Sequence, residues 1–433
     1  MASKIQSACF VVKYDSSLKA SIPLIEKMKA EGIDVEIMML HEHTDALDAQ
    51  FRELGLRDRA RYGVMEDVFT FDKVFDVYHL VLPGHVVREF TYLFRDKFKG
   101  ADIRPVVVVG LVGLLAGKET DCYVSRQMAD IIYVGTHRDK RMLDEVARKL
   151  GTFRDEQVVA TGLPIYGSMK HLEPSNDKSI VFAGQPTFPK SKVDRAYIVE
   201  RLLDLAEAYP DREIILKPRH RLDESTFHKV QFHFETLLEG IAKKRAIPAN
   251  FSVSYEPIDK MMAKADLTIT ISSTAGIEAL YLKKNVCILA DFSITEAYGN
   301  HFFLGSGLIR DFNQLIAGDM PKIDPDWQRD NILFDQDVTA NLLRVIEDSM
   351  SSEYRSRMLD TVYFDHCDGI KNYRENFKAD KLAISDRPFQ RLVTKGLVNL
   401  FSKTLAALRS VRLGERMYQF VMRLAIQVYR RVD

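Results

Sequence analysis

The sequence predicts an α/β protein of two Rossmann-like domains facing each other across a cleft, with a C-terminal helical extension. Three observations carry this. Short apolar runs alternate with amphipathic helical stretches through residues 1–165, as in successive βαβ units of a parallel sheet. A polar segment with two prolines and two glycines, Gly162–Lys178, then interrupts the pattern as a linker would. The alternation restarts and runs to Leu289, before a mostly helical remainder. The expected divisions are 1–165, 166–350 and 351–433.

Ala8–Val12 reads as the first buried strand, with a polar turn at Tyr14–Ser17 and a helix over Leu18–Ala30 closed by Gly32. Asp34–Leu40, Val77–Leu82, Pro105–Val109 and Ile131–Gly135 continue the strand series. In the second half, strands are expected at Ser179–Phe182, Glu213–Leu216, Phe251–Val253, Leu267–Ile271 and Val286–Leu289. Helices are expected at Asp194–Tyr209, within Asp223–Lys244, and at Ile258–Ala265, Thr274–Leu282 and Thr339–Leu359.

Composition narrows the class. A chain of 433 residues exceeds one compact core, and 46% hydrophobic with 28% charged content is ordinary for folded domains. The four cysteines (Cys9, Cys122, Cys287, Cys367) are scattered, without a CxxC pair, which points to a reduced cytoplasmic protein without structural zinc. The N-terminus shows no signal-peptide pattern. The longest apolar run, Val106–Ala116, is glycine-interrupted and far short of the roughly 20 residues that cross a bilayer. Net charge is zero overall, yet residues 387–433 hold ten Arg/Lys against two Asp/Glu. Leu392, Leu397, Leu400, Phe401, Leu405 and Leu408 recur there at helical spacing, interleaved with Arg391, Lys395, Lys403, Arg409 and Arg412. Such a tail reads either as a helical pair packed on the core or as a basic amphipathic contact with an anionic membrane. No nucleic-acid partner is expected.

Two segments suit phosphate. ADLTITISSTAGIEALYLKKNV, from Ala265, places Ser272, Ser273 and Thr274 between a buried strand and a helix, where hydroxyls and free N–H groups meet the positive end of the helix dipole. Gly276 would let a diphosphate or ribose approach, and Glu278 would accept from ribose hydroxyls. Plain helix capping is the competing account of the three hydroxyl residues. Strand Glu213–Leu216 runs into Lys217, Pro218, Arg219, His220 and Arg221, a cationic cluster at the sheet's carboxyl edge. Gly184 and Gln185 follow the first strand of the same half and would approach a nucleotide.

The series strand–GQP, strand–KPRH and ADLTITISSTAGIEAL–KKNV resembles the nucleotide-sugar domain of GT-B glycosyltransferases. It is most similar to capsule and cell-wall-polymer enzymes: bacterial sialyl- and Kdo-transferases and CDP-glycerol glycerophosphotransferases. Gly110–Gly113, ADIIYVGTHRD (129–139) and TGLP (161–164) extend the likeness through the first half, so it spans about residues 5–310. The resemblance implies that His220 and Ser272–Ser273 hold the donor phosphate and that Glu278 binds ribose. The usual His-Pro order is replaced here by Lys-Pro-Arg-His.

For the acceptor's proton, Asp15 after the first strand is the first candidate base, with capping of the following helix as its alternative role. His41, Glu42, His43, His85 and His301 are further candidates. Residues 113–120 imitate a P-loop, but the glycine spacing is one short and Glu119 replaces the Lys-following Ser/Thr. His41–Glu42–His43 lacks the spacing of a helical zinc pair, and no Asp-x-Asp ends a strand, so no metal and no cofactor are expected. The expectation is a metal-independent transferase using a nucleotide sugar, CMP-linked by preference, and a saccharide or glycolipid acceptor. It would act in bacterial surface-polysaccharide synthesis at the inner face of the cytoplasmic membrane. The rivals on the same fold are a glycerophosphotransferase, a nucleotide-sugar epimerase and a non-catalytic scaffold of a polysaccharide assembly complex.

Overall fold

The computed structural model describes residues 4–40, 51, 55–113, 115, 117–166, 172–175, 177–186, 188–222, 232–333, 337–351 and 355. All of them belong to one compact unit, Met1–Thr361. Seven parallel strands make the first sheet: β1 (Ser7–Val12), β2 (Asp34–Met39), β3 (Ala60–Tyr62), β4 (Val77–Val81), β5 (Val106–Gly110), β6 (Ile131–Val134) and β7 (Val158–Ala160). Their order is β3-β2-β1-β4-β5-β6-β7. Helices α1 (Asp15–Ala30), α2 (Gly84–Phe98), α3 (Glu119–Val124) and α4 (His137–Lys149) connect them.

Strands β4, β5 and β6 are buried along their whole length, because helices cover both faces. That is why they read as continuous apolar runs instead of alternating ones. His79 breaks the run on β4, yet its Nε2 lies 3.1 Å from the Tyr133 hydroxyl on β6, and burial pushes its pKa down to about 3. At the other end of the sheet Arg104 meets Asp130 through two hydrogen bonds of 2.7 and 2.8 Å. A third bond, accepted by Asp130 from the Val107 N–H at 2.8 Å, ties this pair to β5.

The second sheet has six parallel strands: β8 (Ser179–Ala183), β9 (Glu213–Lys217), β10 (Phe251–Val253), β11 (Leu267–Thr270), β12 (Asn285–Leu289) and β13 (Ile309–Arg310), in the order β10-β9-β8-β11-β12-β13. Its helices are α5 (Lys192–Ala208), α6 (Phe234–Ala242), α7 (Ile258–Lys264), α8 (Ala275–Tyr281), α9 (Phe312–Ile316) and α10 (Pro325–Asn331). The last described helix, α11 (Val338–Asp348), returns to the first sheet and packs on α1. Its Leu342, Leu343 and Ile346 join one continuous apolar cluster with Leu24, Ile25 and Met28 of α1. The same cluster also holds Ile277, Val286 and Ile288 of the second half.

The structure also differs from the sequence reading in detail. Helix α1 begins at Asp15, three residues before the expected Leu18, with Tyr14 as an extended N-cap residue that makes no side-chain capping bond. The long helices α2 and α4 and the edge strands β3, β7 and β13 add elements that the sequence reading did not name. Of the segment 351–433, only Ser351 and Arg355 lie in the described residues, so the basic tail falls outside them. Among the described residues, no helix is long and apolar enough to cross a membrane.

Candidate functional site

In an open parallel sheet, the crevice for ligands lies at the carboxyl edge where strand order reverses, because the loops on either side of that point leave in opposite directions. In the second sheet that point is between β8 and β11. The loops there are Gly184–Gln185, after β8, and Ser272–Thr274, shortly after β11. They are bonded to each other. Gln185 Oε1 accepts from the Ser272 N–H at 3.1 Å, and Gln185 Nε2 donates to Ser272 Oγ at 3.2 Å.

The hydroxyl run is internally braced. The Ser273 N–H donates to Thr270 Oγ1 at 3.3 Å, and Ser273 Oγ accepts from the Ala275 N–H at 3.1 Å. The Thr274 hydroxyl donates to Glu278 Oε1 at 3.0 Å. Helix α8 has seven residues, so hydroxyls and neighbouring cations, more than a helix dipole, set the chemistry of this loop. Burial raises the Glu278 carboxyl above its ordinary value, opposed by the Thr274 hydroxyl and the Arg219 guanidinium.

Strand β9 neighbours β8 in the sheet, so the loop after β9 stands beside Gly184–Gln185. Arg219 is exposed, while Lys217 and His220 are half-buried. Lys217 Nζ donates to the Pro218 carbonyl at 2.8 Å and lies 5.9 Å from the Tyr255 ring, and Arg221 sits 4.7 Å from the same ring. The His233 Nε2–H donates to the His220 carbonyl at 3.0 Å, fixing the backbone of the cationic loop.

The two glycines have packing partners. The Gly184 N–H donates to the Lys217 carbonyl at 2.9 Å, and a Cβ there would sit 3.0 Å from the Phe234 ring. At Gly276 a Cβ would meet Ile288 and Thr270, each at 3.3 Å, so its bareness seats α8 on the sheet.

The carboxyl edges of the two sheets face each other. A Cβ on Gly113, in the loop after β5, would lie 3.5 Å from Thr274 Cγ2. Arg138, on α4, stacks 5.2 Å from the Phe302 ring. Arg141 of α4 grips Asp330 of α10 with two bonds of 2.6 and 2.5 Å. Tyr166 stacks on Tyr281 with ring centroids 4.3 Å apart. In the first sheet, strand order reverses between β1 and β4. Asp15 opens α1 directly after β1, and Gly84 and the exposed His85 open α2 after β4. His301 is half-buried in the short turn Asn300–Phe303, whose Asn300 is fully buried and accepts from the Thr295 N–H at 2.8 Å. His41, Glu42 and His43 lie outside the described residues.

The sequence reading passed over two buried charged groups on this edge. Asp139, in the first turn of α4, is fully buried, and burial pushes its pKa up to about 6 against the opposing pull of Thr136, Arg138 and the Leu115 backbone. The spacing Thr136-x-x-Asp139 is the helix-start signal that marks it, and Thr136 Oγ1 accepts from the Asp139 N–H at 2.8 Å. Arg126 is the other, and no local motif announces it. Among the described residues, no group of three or more His, Cys, Asp or Glu side chains is gathered as a metal would require.

A protein-family model described as "Putative glycosyltransferase (DUF6716)" matches residues 8–348. No curated protein matches the chain. Among solved structures, the UDP-GlcNAc 2-epimerase of Methanocaldococcus jannaschii superposes with a TM-score of 0.56 at 14% identity, over 79% of this chain and 99% of that one. That of Neisseria meningitidis, bound to UDP-GlcNAc, gives 0.54 at 11% identity, over 79% of this chain and 100% of the other. At such identities the likeness shows the fold: two facing Rossmann-like domains of the GT-B type.

Proposed function

The chain belongs to that glycosyltransferase family, and we propose that it moves a sugar from a nucleotide donor to a saccharide or lipid-linked acceptor in the cleft between its two sheets. The observation that carries this reading is the Gln185–Ser272 clasp at the second sheet's switch point, with Lys217 and Arg219 on the adjoining strand's loop. Strand adjacency gathers hydroxyls and cations where a nucleotide's phosphates would lie.

In this mechanism Lys217, Arg219, His220 and the hydroxyls of Ser272–Thr274 neutralise the departing phosphate, which gives leaving-group stabilisation without a metal. Gln185 holds Ser272 in place, and Glu278 takes the ribose hydroxyls. Asp15, at the opposite sheet's switch point, takes the acceptor's proton as general base. The finer reading is a CMP-linked donor and a bacterial surface polysaccharide as product, with the basic tail resting on an anionic membrane. The motif resemblance to sialyl- and Kdo-transferases supports the donor, and the charge of residues 387–433 supports the membrane contact.

A second reading, epimerisation of a nucleotide sugar, is favoured by the fold shared with an epimerase bound to UDP-GlcNAc. One set of experiments separates the two. Thermal stabilisation is measured with CMP, CDP, UDP, GDP and ADP, and the stabilising nucleotide's sugar is then incubated with the protein alone and with acceptors. Ligand at a hundredfold excess over its dissociation constant stabilises by about 2.7 kcal/mol. Stabilisation and acceptor-dependent nucleotide release support transfer. Conversion of the sugar without acceptor assigns epimerisation, and no stabilisation by any nucleotide overturns both.

A further inference from the structure

We infer that Arg195 is a positioning residue of the donor site: its guanidinium holds the segment after β8 in the shape that lets Gln185 grip Ser272, and so sets how tightly a nucleotide is bound. That a nucleotide is the occupant rests on the transferase reading; the hold of Arg195 on Gln185 does not.

The segment Gly184–Gln185–Pro186, with Pro189 close behind, leaves the sheet where the ladder bonds of β8 end. Proline carries no N–H, so this stretch is richer in carbonyls than in donors to satisfy them. Arg195, in the first turn of α5, supplies a donor from elsewhere. Its Nη1 lies 3.3 Å from the Gln185 carbonyl, 3.4 Å from that of Pro186 and 3.1 Å from that of Pro189. Gln185 is therefore held twice: its main chain by Arg195, and its side-chain amide by Ser272.

The guanidinium also lies on an aromatic ring. Arg195 Cζ is 4.1 Å from the ring centroid of Phe234, the first residue of α6. The same ring stands against Gly184, where a Cβ would come within 3.0 Å of it, and packs edge-on to Phe182 of β8 with centroids 6.1 Å apart. His233, one residue earlier, holds the cationic loop through the His220 carbonyl. The starts of α5 and α6 thus fasten both loops of the donor edge to one support.

Charge separates this arginine from an ordinary buried one. Arg104 has Asp130 as its counter-charge. Arg195 is only 3% exposed, and among the described residues no acid pairs with it. Burial pushes its pKa down to about 10, so it stays charged at neutral pH. A buried cation without a counter-charge is costly, and here carbonyl dipoles and a ring face offset part of that cost. The charge stands behind the loop that neighbours Lys217 and Arg219, with the sign an anionic donor needs.

The test compares Arg195→Met, Arg195→Lys, Gln185→Ala and the double variant Arg195→Met, Gln185→Ala in the full-length protein. Two readouts are taken: calorimetric titration with CMP, CDP, UDP, GDP and ADP, and hydrogen exchange at the Ser272 amide without ligand. Asp130→Asn, which breaks the buried charge pair of the first sheet, is the control for lost stability. Affinity for the nucleotide that binds is expected to fall about tenfold or more in Arg195→Met. The double variant loses no more than Arg195→Met, because both changes break one clasp. Arg195→Lys falls between, since an ammonium keeps the charge without the planar fork. Exchange at Ser272 quickens in Arg195→Met and not in Asp130→Asn. Either readout at the parent value in Arg195→Met overturns the inference, as do losses that add in full in the double variant or the same quickening in Asp130→Asn. Where Arg195→Met does not fold, Arg195→Lys is held to the same outcomes. If the unmodified protein binds none of the five nucleotides, the transferase reading falls, and exchange at Ser272 alone decides whether Arg195 holds the clasp.

Discussion

Gln185 and Ser272, 87 positions apart in the chain, are joined at both ends of one side-chain amide: Oε1 accepts the Ser272 N–H at 3.1 Å and Nε2 donates to its hydroxyl at 3.2 Å. The clasp works because β8 and β11 are neighbours in the sheet. Gln185→Ala removes both bonds, each worth about 1 kcal/mol net. Nucleotide affinity, measured by calorimetric titration, is expected to fall about tenfold, with a melting temperature lowered by only a few degrees. Unchanged affinity would show that Ser272 keeps its position unaided.

Arg219 is exposed, so its removal tests charge without disturbing packing. Arg219→Ala is expected to weaken nucleotide binding by about 1.5–3 kcal/mol, the range for hydrogen bonds to charged groups. Thermal stability without ligand stays at the parent value. Transfer assayed with and without EDTA is expected to proceed at the same rate, because cations of the chain neutralise the phosphate in the proposed mechanism. A rate that collapses with EDTA would overturn the metal-independent mechanism.

Asp139 makes stability depend on pH. Its pKa is raised from 3.8 to about 6 by burial, so the folded state binds its proton more tightly than the unfolded chain does. The stabilisation is complete below about pH 4 and is lost as pH rises through about 6. Asp139→Asn holds a neutral group at every pH. Chemical denaturation should find the variant gaining on the parent by on the order of 2–3 kcal/mol between pH 4 and pH 8. Parallel stability profiles would show that Asp139 is solvated in solution.

The Arg104–Asp130 pair predicts a different asymmetry. Both side chains are buried, and Asp130 also accepts from the Val107 N–H. Asp130→Asn leaves Arg104 buried without its counter-charge, at an expected cost of about 3–5 kcal/mol in unfolding free energy. The double variant Arg104→Met, Asp130→Asn should recover part of that loss, as a thermodynamic cycle would measure. Equal losses in single and double variants would mean that packing, not charge, governs the site.

Much of the architecture is written locally. Ala8–Val12, Val106–Val109 and Ile131–Val134 announce buried parallel strands because both faces of such a sheet are covered, which leaves continuous apolar runs. The position of Lys217–Arg221 and Ser272–Thr274 was legible too: each follows a strand and so must stand at a carboxyl edge. Short edge strands such as β3 and β13 were not, since two or three residues carry too little periodicity to register.

The sequence by itself thus determined the fold class, the two alternating halves and the kinds of residue at each strand's end. Only the tertiary structure decided which ends are neighbours. Strand order is set by packing between segments far apart in the chain, so it put Gln185 on Ser272, Gly113 against Thr274, and Arg126 beside the N-terminus of α2. It also returned α11 to α1, because the apolar stripe of Leu342, Leu343 and Ile346 finds its match there. A local pattern records what a segment must bury; what it is buried against is settled by the whole chain.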